Sequence, residues 1–270
     1  MKRIRTARDS AREELFARLE LQYRAGEYEE VEATARAFAA APRPPWRKRP
    51  LPQWQARTLA TGAAVAHGRG AEVMAELEAL IAELKPADAE AHALRLVVRD
   101  NRVTVLVGQE RYEEAEGEAL GILREVTRLA HPAPLGKLEL GALGNLAAAL
   151  CGQARFDEAE EIARGNLPRA EEPALAALHA TLVHSLNGQG RYEEALAEAR
   201  RNTPHQARRD SGRLDLVTAQ ALRGLGRRGE AEAAARRALT DCGRHLHPSH
   251  PRIREARSLL ARITEEGPRP

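Results

Sequence analysis

Aromatic residues are scarce in this chain, with three Phe, two Trp and four Tyr among 270 residues. Sheets draw on aromatic and β-branched side chains, so the scarcity turns the reading toward closely packed helices with a core of Ala and Leu. Lysine is nearly missing too, confined to Lys2, Lys48, Lys85 and Lys137, so arginine carries the positive charge. Nowhere do 18 apolar residues run together, which leaves no candidate membrane-spanning helix. The opening MKRIRTARDSAREE is charged where a signal peptide needs an apolar run, and a soluble, cytoplasmic protein is expected. Cys151 and Cys242 stand far apart in unrelated contexts, giving no disulfide framework and fitting free thiols.

What is present is repetition. Gly108–Ala115 reads GQERYEEA, Gly152–Ala159 GQARFDEA, Gly188–Ala195 GQGRYEEA and Gly224–Ala231 GLGRRGEA. Nine residues before each motif alanine stands a leucine (Leu106, Leu150, Leu186, Leu222), and four after it an alanine (Ala119, Ala163, Ala199, Ala235). Fainter copies surround Val31 and Val73, so the anchors at 31, 73, 115, 159, 195 and 231 are spaced by 42, 42, 44, 36 and 36 residues. Self-similarity at this period marks a stack of supersecondary units sharing one continuous core. Each unit is long enough for two helices.

Turn chemistry and helix dipoles account for much of the motif. The motif glycine is expected at a helix end, in left-handed backbone, and the acids Glu114, Glu158, Glu194 and Glu230 in the first turn of the next helix. The aromatic at Tyr112, Phe156 and Tyr192 would close the hairpin, and the small residues let helices approach. Prolines mark the breaks. Helix pairs are predicted over 7–25 and 27–41, 53–67 and 70–84, 88–107 and 111–130, 135–151 and 155–166, 173–187 and 191–202, and 208–223 and 228–242, with a capping helix near 251–264. Arg252, Arg254, Glu255, Arg257 and Arg262 give that cap a polar outer face.

The fold expected is therefore all-α, one solenoid of about six helical hairpins over residues 10–264, in units 10–41, 53–85, 88–130, 135–167, 173–203 and 208–243 plus the cap 251–264. A basic extension, 1–9, precedes it and a tail, 265–270, follows. Within it, residues 42–52 form a Pro/Arg-rich linker, able to act as an extended recognition element or to space two helices with Trp46 or Trp54 covering core.

At these residues the chain resembles the tetratricopeptide repeat family, whose units carry Gly, an aromatic, an acid and Ala at this turn. The 42-residue spacing and the connector pairs His131 with Pro132, His247 with Pro248 and His250 with Pro251 are similar to the longer repeats of kinesin light chains and their bacterial relatives. The resemblance implies a right-handed superhelix whose first helices line a concave groove that binds peptide segments. It also implies an asparagine in the first helix holding the ligand backbone, a place matched by Asn101 and Asn145; Thr181 and Val217 stand there in the next units.

Spacing from the motif alanine puts Asp100, Thr104, His184, Asn187, Arg213, Gln220 and Arg223 on the same helical face as Asn101, Asn145 and Thr181. Such a wall would recognise a partner through hydrogen bonds and charge, with arginine suited to carboxylates. A metal reading rests on Cys242, His245, His247 and His250, but HLHPSHP serves equally as a connector, and no metal or cofactor is expected. His179 and His184 are five apart, off the one-turn spacing of helical ligand pairs. No nucleophile triad, phosphate loop or nucleotide fingerprint is present.

The expected function is a non-enzymatic bacterial scaffold binding a protein or peptide segment. Two alternatives stand beside it: a regulatory sensor of a small molecule or signalling peptide, and a nucleic-acid-associated protein. The latter would use residues 200–270, with sixteen Arg against eight acids, but it lacks aromatic stacking platforms.

Overall fold

Helix follows helix, with no strand, through the described residues of the computed structural model, which are 7–42, 51–85, 89–129, 132–171, 174–202 and 212–265. The helices are α1 (Ala7–Ala25), α2 (Tyr28–Ala40), α3 (Leu51–His67), α4 (Gly70–Glu83), α5 (Ala89–Gly108), α6 (Tyr112–Arg128), α7 (Pro132–Gly152), α8 (Phe156–Asn166), α9 (Ala174–Gly188), α10 (Tyr192–Asn202), α11 (Arg213–Gly224), α12 (Arg228–His245) and α13 (Pro251–Glu265). One 3-10 turn, Leu167–Arg169, holds Pro168. Pro52, Pro132 and Pro251 sit in first turns, where a missing N–H costs nothing, so α3 and α7 begin two and three residues earlier than the proline rule predicts. Trp46 lies outside the described residues. Trp54 packs on the core cluster that holds Val73, Leu77 and Leu80 while its indole N–H donates to Glu83 at 2.7 Å.

Two layers result. Odd-numbered helices from α3 to α13 touch one another in succession, and each even-numbered helix packs between its two sequence neighbours. That is an α-solenoid with an inner wall of odd helices and an outer layer of even ones. Leu106, Leu150, Leu186 and Leu222 are at most 5% exposed and the motif alanines 0%, so the repeated apolar positions are the shared core.

At each turn the motif arginine closes a helix end. Its backbone N–H donates to the motif leucine carbonyl, Arg111 to Leu106 at 3.0 Å, then Arg155 to Leu150, Arg191 to Leu186 and Arg227 to Leu222, each at 2.9 Å. This six-to-one bond needs one left-handed residue just before the arginine. That residue is Glu110 (φ 62°), Ala154 (φ 59°), Gly190 (φ 75°) or Gly226 (φ 72°), not the motif glycine two positions earlier. The expected role of the motif glycine is thus corrected. Gly152, Gly188 and Gly224 end their helices under the ring of the preceding unit, Tyr112, Phe156 and Tyr192 respectively, where an added Cβ would collide with the ring. The aromatic joins successive units.

A non-glycine residue in left-handed backbone costs about 1 to 2 kcal/mol. Ala154→Gly is therefore expected to raise stability by about 1 kcal/mol after the extra unfolded-state entropy of glycine is discounted. A urea midpoint that stays put or falls would contradict this turn assignment.

A second clamp runs between units. Arg155 donates to Glu116 at 2.7 Å and Arg191 to Glu160 at 2.6 Å, reinforced by Gln153 and Gln189, each 2.7 Å from the same carboxylates. Arg69 pairs with Glu32 in the same way. Arg155 and Arg191 also fork onto the acid three residues on, Arg191 to Glu194 at 2.8 and 2.6 Å. Glu114, Glu158, Glu194 and Glu230 thus have a specific partner besides the helix dipole.

Candidate partner-binding wall

The polar residues singled out on the first helices fall into two groups on the inner wall. In the first, α5 meets α7. Asn145 Nδ2 donates to Asp100 Oδ1 at 2.9 Å and to the Asp100 carbonyl at 3.3 Å, and Thr104 Oγ1 donates to Asn145 Oδ1 at 3.2 Å. Glycines make room for these side chains. A Cβ on Gly141 would stand 3.0 Å from Asp100 Oδ2, and one on Gly62 of α3 3.1 Å from Asn101 Nδ2. Burial pushes the Asp100 carboxyl up to about 6, against the lowering hydrogen bond from Asn145. Asn145 therefore spends its amide on α5, binding the wall together, while Thr104 remains exposed.

In the second group, α9, α11 and α13 line up. His184 is hydrogen-bonded to Gln220, whose Nε2 donates to Glu255 Oε1 at 3.0 Å. Burial holds the His184 imidazole below its ordinary range although Glu255 and Gln220 pull it up, and the Phe156 ring lies 6.3 Å away. Asn187 Nδ2 donates to the Val217 carbonyl at 2.7 Å, which fastens α9 to α11 and leaves its buried Oδ1 without a protein partner. Thr181 bonds back to Ala177 of its own helix. Arg213 and Arg223 are half-buried at opposite ends of α11, Arg213 close enough to His250 to depress its basicity.

Sequence reasoning missed a charged network facing the other way. Arg99 of α5, 9% exposed, donates to Glu118 at 2.7 Å and to Glu125 at 2.5 Å, and His92 Nε2 lies 2.7 Å from Glu125. Arg99, Glu118 and Glu125, with Glu78, Ile81, Arg95 and Arg102, line a cleft of about 350 Å³. The charges match one another, three arginines against three glutamates, so the cleft presents no surplus to a ligand. Of the other units, the one anchored at Val73 has an arginine at this register, Arg57, which pairs with Glu76 and Glu83 as Arg99 pairs with Glu118 and Glu125, so two successive units did carry the signal.

The Cys242, His245, His247 and His250 cluster is taken apart. Cys242 is 0% exposed in a small core with Leu246 and Ile253, His245 is exposed, and His247 bonds Ser249 at 2.7 Å. Among the described residues no three His, Cys, Asp or Glu side chains are gathered to hold a metal ion. Five of the C-terminal arginines are paired at short range: Arg201 with Glu198, Arg227 with Glu230, Arg236 with Glu232, Arg237 with Asp215 and Arg244 with Asp241. No described helix is long and apolar enough to cross a membrane.

A family model described as tetratricopeptide repeat matches residues 140–172 and 219–252. No curated protein and no solved structure matches the chain. The two matched stretches contain α8 and α12 with their preceding turns, the same hairpin corner two units apart.

Proposed function

Because the chain is a tetratricopeptide-repeat protein, we propose that its inner wall binds a segment of a partner protein and that the chain acts as a scaffold without chemistry of its own. Tetratricopeptide repeats generally mediate protein-protein interaction. The observation that carries the reading is the run of polar side chains along successive odd helices, Asp100, Thr104 and Asn145 followed by His184, Gln220 and Glu255. A peptide laid across them would meet hydrogen-bonding groups on each odd helix from α5 to α13, which suits a polar segment of mixed charge. Neither the Arg99 cleft nor the one lined by Tyr28, His67 and His247 gathers a nucleophile with its base, and Cys151 is unsuited to that role, because burial pushes its thiol up to about 12.

Selection of displayed random peptides on the purified chain tests this. Enriched peptides are expected to bind Gln220→Ala/Arg223→Ala at least tenfold more weakly, about 1.4 kcal/mol, and Glu194→Ala unchanged. Equal affinity for the wall variant would remove the wall as the binding surface.

A further inference from the structure

The two ends of the solenoid meet. Ser249, in the α12–α13 connector, donates to the Gly68 carbonyl at 3.3 Å, and the His247 amide donates to the His67 carbonyl at 2.9 Å. The His67 and His247 rings stand edge to face at 5.7 Å, and the Tyr28 ring is 6.5 Å from His67. Leu246 and Ile253, buried on Cys242 and Leu239, fix the connector from its own end.

The receiving edge departs from the repeat where the connector lies. Three units place an aromatic at the fifth motif position and lay it on the next unit's glycine, but the unit anchored at Val73 has Gly70 there. Gly108 consequently has no ring above it. Pro251 takes that place, its Cγ 3.2 Å from where a Gly108 Cβ would stand. Beside it, Gly68 sits at φ 105°, and a Cβ there would come within 2.7 Å of His250 Cβ and Cδ2. The edge is hollowed to fit a His-Pro turn.

We propose that the α3–α4 and α5–α6 turns form a docking notch for the connector His247–Pro251, and that this clasp closes the solenoid and releases when His250 and His67 take up protons. Two hydrogen bonds and a few rings hold the clasp, whereas continuous helix packing holds the rest, so it opens first. His250 faces Arg252 and Arg254 of α13, Arg213 of α11 and His67 of α3; burial and these charges depress it to about 3. His67 faces His247 and, from α2, Glu29 and Glu30; burial, its largest influence, and His247 lower it while the glutamates raise it. Arg244 and His245 of α12 border the same cleft. The closed state therefore favours neutral imidazole. Its advantage is complete above the ordinary histidine value of 6.5 and falls below it by up to about tenfold per pH unit for each histidine that takes up a proton.

Small-angle scattering and residue-level hydrogen exchange of the full chain test the clasp without any partner. Between pH 7.5 and 4.5 the radius of gyration of the wild type should rise and the His247 amide lose protection, with helical circular dichroism retained. His250→Lys should be open already at pH 7.5, and His250→Asn should stay closed to lower pH than the wild type. A protected His247 amide in His250→Lys, or wild type and His250→Asn opening together, would overturn the proposal. Should His250→Lys lose helicity, the wild type and His250→Asn comparison decides.

Discussion

Gly188→Ala is expected to destabilise the chain by about 2 to 3 kcal/mol, although alanine is the better helix former. The added methyl would occupy the space of the Phe156 ring, and Gly188 is the last residue of α9, so neither the ring nor the helix end can move without parting α8 from α9. A double-mutant cycle isolates the cause. In a Phe156→Ala background the same Gly188→Ala change should cost nearly nothing, a coupling of about 2 kcal/mol read from urea midpoints. Gly117→Ala is the control: Gly117 is an exposed mid-helix glycine with nothing near its would-be Cβ, and alanine there should stabilise by about 0.5 to 1 kcal/mol. If Gly188→Ala stabilises as Gly117→Ala does, the aromatic-on-glycine contact does not join the units.

Arg99→Ala should cost about 3 kcal/mol, because the guanidinium is nearly buried and its loss takes from the Glu118 and Glu125 carboxylates the cation they share. Glu118 and Glu125 keep side-chain exposures of 21% and 28%, which sets the value at the low end for a broken buried pair. Arg99→Lys should recover part of the loss, since a single ammonium cannot span both carboxylates. The effect has a pH signature. Burial raises the Glu125 carboxyl, but hydrogen bonds from His92 and Arg99 outweigh it and leave the group below its ordinary 4.5. A depressed carboxylate contributes its stability above that value and loses it as pH falls through the folded one. The gap between wild type and Arg99→Ala should therefore narrow below about pH 4; a gap that widens in acid would contradict the network.

How much of this was legible varied with distance along the chain. Helix positions came through because anchors, prolines and leucine spacing are local signals, and twelve of the thirteen helices start within three residues of expectation. The exception, α11, begins at Arg213 against an expected 208, next to residues outside the described set. The motif glycine was given the wrong cause because its real neighbour, the ring of the unit before, is 32 to 40 residues away in sequence. A signal did exist: glycine and aromatic recur together. The arginine clamp was readable in the same way, since Arg69, Arg155 and Arg191 each follow a unit with Glu just after its anchor, whereas Arg111 follows Met74 and Arg227 follows Leu196 and neither makes the bond. On the wall, register brought Asn145 to the inner layer, but no pattern of spacing says that its amide is spent on Asp100. The meeting of His67 with His247 spans most of the chain and left only Gly70, in the place of an aromatic, as a trace.

These contacts divide the chain into positions that build and positions that vary. Glycine, aromatic and alanine of the motif pack into the solenoid, and its arginine and glutamate pair with each other or with the unit before, which supports the role proposed for the inner wall. The most direct test is residue-level hydrogen exchange of the chain with and without a selected peptide. Added protection should run along α5, α7, α9 and α11 facing the inner side, while the outer faces of α6, α8 and α10 stay unchanged. Protection confined to those outer helices would contradict the assignment of function to the wall.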